Sequence, residues 1–393
     1  MNQRVILVLF ILLTAIASIQ SYLLKPGRLT EGTREYSHYN NYVIFKQSFY
    51  HLTDHKDLYV LYPEEHWDLF KYSPTFALLF GIFANLPDYL GLLFWNMLNT
   101  CVLVLAVFYL PRITNLQKGL ILLACLLELI TSIQNEQSNG LIAGLIVFAF
   151  ALCERQHFII AAFCIILSAY IKLFGIVGVS LFIFYPQRWR LALYSILWSL
   201  ILFILPYGAI NFTELKILYI SWFHMLQNDH SPAAYGFSVL GWLKTWFHFE
   251  PANFWTVSIG AMIFMVPFAR FKMYVSHGFR LLALSSVLVW VVIFNHMAES
   301  PTFIIAMTGI SIWFFSGKAT LINIILISVC FLLTSLSTTD LVPHDFRNHF
   351  IQPYVLKVFP CIIIWFRIIF DMLNIKQTLA LSGDTEPLSV NRG

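Results

Sequence analysis

Residues 118–153 read KGLILLACLLELITSIQNEQSNGLIAGLIVFAFALC, two apolar runs joined by the six polar residues 134–139, which we call the hexad. Apolar runs of this kind recur along the chain, as expected of membrane-spanning helices. The hexad places Glu136 among amide side chains at a membrane boundary. A carboxylate there is costly unless the protein uses it. The hexad therefore predicts one wall of an active site or of a transport site.

The composition of the 393 residues indicates the class of protein. Hydrophobic residues make up 59% and charged residues 11%, whereas about a quarter of the residues in a soluble domain are charged. We therefore predict an all-α polytopic membrane protein. The net charge of +4 is too small to indicate nucleic-acid binding. The six cysteines lie in apolar runs without the spacing of metal ligands, so we interpret them as packing residues.

Lysine and arginine residues in the short loops predict the orientation. Because such residues are enriched on the cytoplasmic side, we place the loops around Arg112, Arg188 and Lys318 inside, together with both termini. We expect one integral domain at residues 1–376 and a polar cytoplasmic tail at residues 377–393. About twelve spans result, at residues 5–24, 88–110, 118–133, 140–153, 158–171, 173–186, 191–210, 253–269, 281–295, 301–316, 319–336 and 350–370.

Two segments of the first outer loop do not fit as spans. If residues 73–86 crossed the membrane, Arg112 and Arg188 would change sides, against the charge rule. We predict that this segment lies as a helix in the outer interface. Residues 42–51, with aromatic side chains on one helical face, are predicted to do the same. The long loops then lie on the outer side, where we expect the chemistry.

Candidate binding residues lie at the outer ends of the predicted helices. Pro74 suits the first position of a helix, which would hold Lys71 and Tyr72 at the membrane edge. Lys172 interrupts an apolar stretch; it either reaches the lipid head groups or binds a phosphate, and its spacing favours neither. No metal or other cofactor is predicted, because the acidic and histidine residues lack ligand spacing. Polar residues beside aromatic ones would suit a sugar and include Asp229, His296 and Glu299.

Glu128 lies deeper on the helix predicted before the hexad. Seven residues separate it from Asn135, so both side chains project from one face. A polar hairpin turn would explain the hexad alone but not this second carboxylate. We therefore favour a polar track that enters the helix bundle.

A series of short motifs resembles a known family. In order and spacing, the motifs at residues 40–190 resemble glycosyltransferase family 87, the polytopic mannosyltransferases that use polyprenyl-phosphate-mannose. The motifs are Asn41-Tyr42, Asp57-Leu58-Tyr59, Phe70-Lys71-Tyr72-Ser73-Pro74, Leu86-Pro87, Trp95, Glu136-Gln137-Ser138-Asn139, Ile171-Lys172 and Arg188-Trp189-Arg190.

The resemblance implies a GT-C-like bundle whose first long loop forms interfacial helices over an outer-facing site. It also implies an inverting, metal-independent sugar transfer from a lipid-phosphate donor. Lys172 would hold the donor phosphate, and Gln137 and Asn139 would bind sugar hydroxyls or phosphate oxygens. The general base of the family is an aspartate of the first loop, and its position falls on Asn41 here.

An amide such as Asn41 cannot accept the proton of the acceptor. The base is then Glu35 in the same loop, or Glu136, which replaces a glycine of the family motif, or the protein is inactive. We prefer a relocated carboxylate, because the first loop otherwise keeps the pattern and Glu136 is an added acid. Asn41 would then be a substrate-binding residue.

The sequence thus predicts a membrane hexosyltransferase that moves mannose from a polyprenyl-phosphate carrier to an envelope lipid or glycan. The predicted location is the inner (plasma) membrane, with the site facing the periplasm or exterior. Its partners would be the lipid-linked donor, the acceptor and the bilayer. A secondary transporter that uses Glu128 and the hexad is one alternative, although no repeated halves occur in the sequence. A catalytically inactive glycan-binding subunit is the other.

Overall fold

A computed structural model describes residues 2–27, 34–228, 236–339 and 341–375. Helices dominate this part of the chain, and its only β-structure is an isolated bridge between Gly27 and Tyr36. The helices are α1 (Gln3–Leu23), α2 (Asn40–Thr53), α3 (Pro74–Ala84), α4 (Asp88–Tyr109), α5 (Asn115–Gln134), α6 (Asn139–Glu154), α7 (Phe158–Ile171), α8 (Arg188–Ile204), α9 (Phe212–Asn228), α10 (Val239–Phe247), α11 (Asn253–Met265), α12 (His277–Ile293), α13 (Phe303–Ser316), α14 (Leu321–Cys330), α15 (His344–Phe346) and α16 (Phe359–Asn374).

Among the described residues, four helices are long and apolar enough to cross a bilayer: α1, α4, α5 and the segment Arg188–Gly208. Several shorter apolar helices accompany them, so the described chain has the character of a multi-pass membrane protein. A helix lies at each predicted span, but the number of crossings stays a prediction. Leu173–Phe184 is a 3₁₀ helix, whose rise of about 2.0 Å per residue makes it longer than an α-helix of the same 12 residues.

The centre of the bundle is formed by α4, α5, α6, α12 and α13. Almost every residue of α6 is buried, and its glycines allow close contact with the neighbouring helices. A Cβ atom at Gly144 would lie 2.7 Å from the backbone nitrogen of Leu103 on α4. Small residues four apart, here Gly140 and Gly144, are typical of tightly packed membrane helices. This contact fixes the start of α6, where the hexad ends.

The two predicted interfacial segments form α2 and α3, which pack against each other. The Tyr42 hydroxyl donates to the Phe83 carbonyl at 3.2 Å, and the Tyr50 hydroxyl donates to the Ala84 carbonyl at 2.9 Å. Lys46 adds an ion pair with Asp88 at 2.6 Å. With 11 residues, α3 is about 16 Å long and too short to cross a bilayer of about 30 Å.

Two predictions about the second half need correction. Residues 211–253, predicted as an outer loop, contain α9 and α10. The last predicted span, 350–370, is not one helix: turns occupy residues 352–358, Val355 has a φ of 52°, and α16 begins only at Phe359. Pro360 explains this start, because proline lacks the backbone donor that a continuing helix needs.

Candidate functional site

Lys172 is the residue on which the hexad converges. Its Nζ atom lies 2.9 Å from Gln137 Oε1 and 2.9 Å from Asn139 Oδ1. The arrangement follows from local structure: α7 ends at Ile171, and Lys172 has an extended backbone before the 3₁₀ helix. Asn139 is the first residue of α6. The end of α7 and the start of α6 thus place the Lys172 ammonium against two amide oxygens.

Tyr72 completes this group, which we call the Lys172 cluster: Lys172, Gln137, Asn139 and Tyr72. The Tyr72 hydroxyl lies 3.4 Å from Gln137 Oε1, and its ring centroid lies 5.7 Å from Lys172 Nζ. Its position is fixed by the next residue, because Ser73 Oγ caps α3 and donates to the Tyr170 carbonyl at 2.5 Å. Residues predicted separately from three parts of the sequence therefore meet in space.

Burial and nearby charges shift the pKa of Lys172. Burial of the ammonium lowers the pKa of Lys172 to about 8; Glu299 opposes this shift, and Lys71 adds to it. Lys71 Nζ lies 3.8 Å from Asp68, and the Lys71 carbonyl accepts a hydrogen bond from Trp222 at 3.3 Å. Lys172 is therefore a partly buried cation, which suits it to bind an anion in competition with its amide partners.

Asn139 carries a polar atom that the cluster does not satisfy. Asn139 and Ser138 are fully buried; among the described residues Asn139 Nδ2 has no hydrogen-bond partner, whereas Ser138 Oγ lies beside the Tyr72 hydroxyl. Both lie at the N-terminal end of α6, where backbone N–H groups and the helix dipole favour negative charge. A buried donor without a partner is expensive, so this end of α6 is suited to receive an oxygen atom.

Glu136 lies in the same loop but on another side of it. Its carboxyl group lies near Ser21 on α1, and burial raises its pKa well above the usual range. Its carbonyl accepts from Trp95 Nε1 at 2.8 Å, and its φ is 48°. Glu136 Oε1 has no hydrogen-bond partner. The carboxyl group thus faces Ser21 on α1, and its role as base stays a prediction.

Asn41 and Glu35, two further residues predicted in the first loop, are not members of the Lys172 cluster. Asn41 Nδ2 donates to the Asn135 carbonyl at 2.9 Å, so α2 contacts the hexad directly. Glu35 is exposed to solvent, in the stretch that leads to α2.

On the opposite half of the chain, His296 Nδ1 lies 3.1 Å from Asn253 Nδ2, and the His296 carbonyl accepts from Gly236 at 2.8 Å. Glu299 is exposed three residues later and acts electrostatically on Lys172 and Tyr72. Asp229 lies outside the described residues. Of these two residues, Glu299 therefore acts on the cluster from the second half of the chain.

The predicted polar track at Glu128 is wrong. Glu128 is fully buried and pairs with Lys357, whose Nζ lies 2.9 and 3.1 Å from the two carboxylate oxygens. Lys357 also donates to Ser300 Oγ at 2.8 Å. The sequence carried a signal for this pair, since Lys357 falls within an apolar run and a buried lysine requires a partner. The pair removes Glu128 as a free relay group for the transporter alternative.

The described residues contain no group of three or more histidine, cysteine, aspartate or glutamate side chains that could hold a metal. The Lys172 cluster combines a partly buried cation, an unpartnered Asn139 donor and a helix N-terminus, which together suit a phosphate-bearing ligand.

Comparison with known proteins supports a transferase. No curated protein matches the chain. The family model described as glycosyltransferase family 87 matches residues 70–250, a range that holds all four residues of the Lys172 cluster. This confirms the resemblance drawn from the motifs. Over residues 70–250, and with its set of apolar helices, the chain matches glycosyltransferase family 87, a family of membrane glycosyltransferases.

Proposed function

We propose that the protein transfers a hexose, mannose in the first instance, from a polyprenyl-phosphate carrier to an envelope lipid or glycan. The reaction would take place at the outer face of the inner (plasma) membrane, within a GT-C-like fold. The observation that carries this proposal is the Lys172 ammonium, held by Gln137 and Asn139 at the start of α6.

Lys172 would bind the donor phosphate and stabilise the charge that grows on it as the sugar leaves. A fixed cation in a site with little water stabilises such charge strongly. The phosphate would displace the contacts to Gln137 and Asn139, and the unpartnered Asn139 Nδ2 would donate to one of its oxygens. Tyr72 would offer a ring face beside the sugar. No metal is needed, because the ammonium neutralises the leaving group.

The general base would be a carboxylate near the acceptor. Glu136 and Glu35 remain the bases proposed from the sequence. The geometry adds Glu299, because it is exposed and acts on the Lys172 ammonium. Of the three, Glu136 would need to leave its contact with Ser21 to reach an acceptor.

The test is transfer of labelled mannose from polyprenyl-phosphate-mannose by purified protein in the presence of a chelator. We expect turnover in the wild type, and a loss of turnover in one of Glu35→Gln, Glu136→Gln and Glu299→Gln. Full activity in all three variants would refute the base assignment.

The inactive-subunit alternative is motivated by Asn41, which stands at the position of the family aspartate. The same transfer assay distinguishes an inactive subunit from an enzyme. Retention of the labelled donor by the wild type, without transfer to any acceptor or to water, would favour a binding protein over an enzyme.

A further inference from the structure

The 3₁₀ helix that follows Lys172 is unusually long. It comprises Leu173–Phe184, 12 residues, whereas 3₁₀ helices longer than about four residues are uncommon because their hydrogen bonds have poorer geometry. Lys172 precedes this helix directly, and Tyr185 follows it. A 3₁₀ helix of this length therefore needs contacts that favour it over an α-helix.

The sequence of the segment favours the 3₁₀ form. Four of its five buried residues recur at every third position: Gly175, Gly178, Leu181 and Phe184. Residues three apart eclipse one another in a 3₁₀ helix, so these four lie on one face. In an α-helix, with about 3.6 residues per turn, Gly175 and Phe184 would point in opposite directions. The pattern of burial therefore fits the 3₁₀ helix and not the α-helix.

Two glycines bring this face into contact with α7. A Cβ atom at Gly175 would lie 2.6 Å from the backbone carbonyl carbon of Ser168. At Gly178 it would lie 2.6 Å from Ile165 Cδ1. The first of these contacts is with the backbone, so Gly175 leaves no room for a side chain. The contact fixes the 3₁₀ helix sideways, and other residues fix its two ends.

Both ends of the 3₁₀ helix are tied to the ends of α6. At one end, Lys172 Nζ lies 2.9 Å from Oδ1 of Asn139, the first residue of α6. At the other end, the Tyr185 hydroxyl donates at 2.7 Å to Oε1 of Glu154, the last residue of α6. The 3₁₀ helix and α6 therefore extend between the same two contacts.

The two helices have the same length only because one of them is a 3₁₀ helix. The 16 residues of α6 extend about 24 Å at a rise of about 1.5 Å per residue. The 12 residues of the 3₁₀ helix also extend about 24 Å, at about 2.0 Å per residue, but would extend only about 18 Å as an α-helix. A change to the α-helix would therefore move Lys172 away from Asn139 for as long as Tyr185 stays bound to Glu154.

The acceptor of the Tyr185 hydrogen bond is itself fixed by α12. Arg280 Nε and Nη2 donate to the two carboxylate oxygens of Glu154 at 2.6 and 2.9 Å, and His277 Nδ1 lies 2.8 Å from Glu154 Oε2. Only 5% of the Glu154 side chain is exposed. Bidentate arginine–carboxylate pairs fix geometry as well as adding energy. We call this group the Glu154 anchor: Glu154, Tyr185, His277 and Arg280.

We propose that the Glu154 anchor positions Lys172 for catalysis, with Tyr185 and Glu154 as positioning residues. The anchor would hold the far end of the 3₁₀ helix, and the rise of that helix would set how far Lys172 reaches toward Gln137 and Asn139. This inference rests on the proposed function, in which the Lys172 ammonium binds the donor phosphate. Tyr185 acts through Lys172 alone, from about 24 Å away along the helix.

Tyr185→Phe tests the anchor with little change in packing, because it removes the hydrogen bond to Glu154 and keeps the ring. We expect kcat for mannosyl transfer to fall by about ten- to a hundredfold, the range that a displacement of about 1 Å can produce. Tyr274→Phe is the matched control. It also removes one hydroxyl, which donates to the Phe268 carbonyl at 2.6 Å, and it keeps the ring that contacts Phe184. Tyr274→Phe should retain full activity.

A double variant separates positioning from a general loss of stability. If Tyr185 acts through Lys172, Tyr185→Phe should lower kcat in the wild type but cause no further decrease in Lys172→Met, since the ammonium that it positions is gone. A merely structural role would lower kcat by the same factor in both backgrounds and would overturn the proposal. An equal loss of activity in Tyr274→Phe would also overturn it.

Hydrogen exchange measures the same coupling without turnover. In detergent, Tyr185→Phe should speed exchange of the amides at residues 173–178, beside Lys172, by about ten- to a hundredfold, the worth of one hydrogen bond to a charged group. Exchange in residues 140–153 of α6 should not change, and Tyr274→Phe should behave as the wild type. Faster exchange confined to the residues next to position 185 would refute the positioning of Lys172.

The two measurements distinguish a failure of this inference from a failure of the proposed function. If exchange at residues 173–178 responds as expected but the wild type transfers no sugar, the Glu154 anchor stands and the transferase proposal fails. If transfer requires Lys172 and is unchanged in Tyr185→Phe, the transferase proposal stands and the anchor is refuted.

Discussion

Replacing Lys172 is the sharpest test of the proposed mechanism. Lys172→Met keeps an unbranched side chain, one atom shorter, and removes the charge and both contacts to the amide oxygens. If the ammonium stabilises the leaving phosphate, its loss should lower kcat by about 10²–10³, or about 2.7–4 kcal/mol, as for other groups that bind charge in the transition state. Lys172→Arg keeps the charge but not the geometry, and should retain an intermediate rate.

An effect on stability has to be separated from an effect on catalysis, because Lys172→Met leaves Gln137 Oε1 and Asn139 Oδ1 without their shared donor. Each loss of this kind costs about 1–3 kcal/mol. Lys172→Gln supplies an amide donor and should preserve the thermal unfolding temperature in detergent, while it lacks the charge. Lys318→Met, at an exposed lysine elsewhere, is the matched control and should be fully active.

Initial rates of mannosyl transfer at saturating acceptor provide the measurement. A decrease of less than about tenfold in both Lys172→Met and Lys172→Gln, with unchanged unfolding, would be too small for a transition-state contact. The reasoning that assigns the phosphate to Lys172 would then be refuted.

Three further predictions follow from single contacts. The pKa of Lys172 is lowered to about 8, so kcat/KM for the donor should fall as pH rises through that value and the ammonium loses its proton. Lys172→Arg should remove the fall, since arginine stays charged. A flat pH profile in the wild type would contradict this role of the ammonium. Gly144→Ala should destabilise the protein by about 1–3 kcal/mol through overpacking against Leu103, measured as thermal unfolding; an unchanged unfolding temperature would contradict the close contact. Glu128→Gln or Lys357→Met alone should lower the free energy of unfolding by about 3–5 kcal/mol, whereas the double variant Glu128→Leu/Lys357→Met should recover most of that stability. Equal losses of stability in all three variants would contradict the buried pair.

Much of the site could be predicted because its determinants are local. Proline at the start of α3, the break at Lys172 and the polar hexad are each features of a few consecutive residues. They fix which side chains lie at helix ends. Their convergence on Lys172 needed the additional order of the family motifs, since spacing alone left the role of Lys172 open.

The sequence by itself determined an apolar helical membrane protein, the two short helices of its first loop and the members of the Lys172 cluster. Only the tertiary structure decided that Glu136 turns toward Ser21 and that Glu128 pairs with Lys357, 229 residues away. The physical reason is that hydrophobic periodicity shows which residues form a helix, but not which distant side chain satisfies a buried charge. That partner depends on how the helices pack, and here the packing joins Glu128 in the first half of the chain to Lys357 near its end.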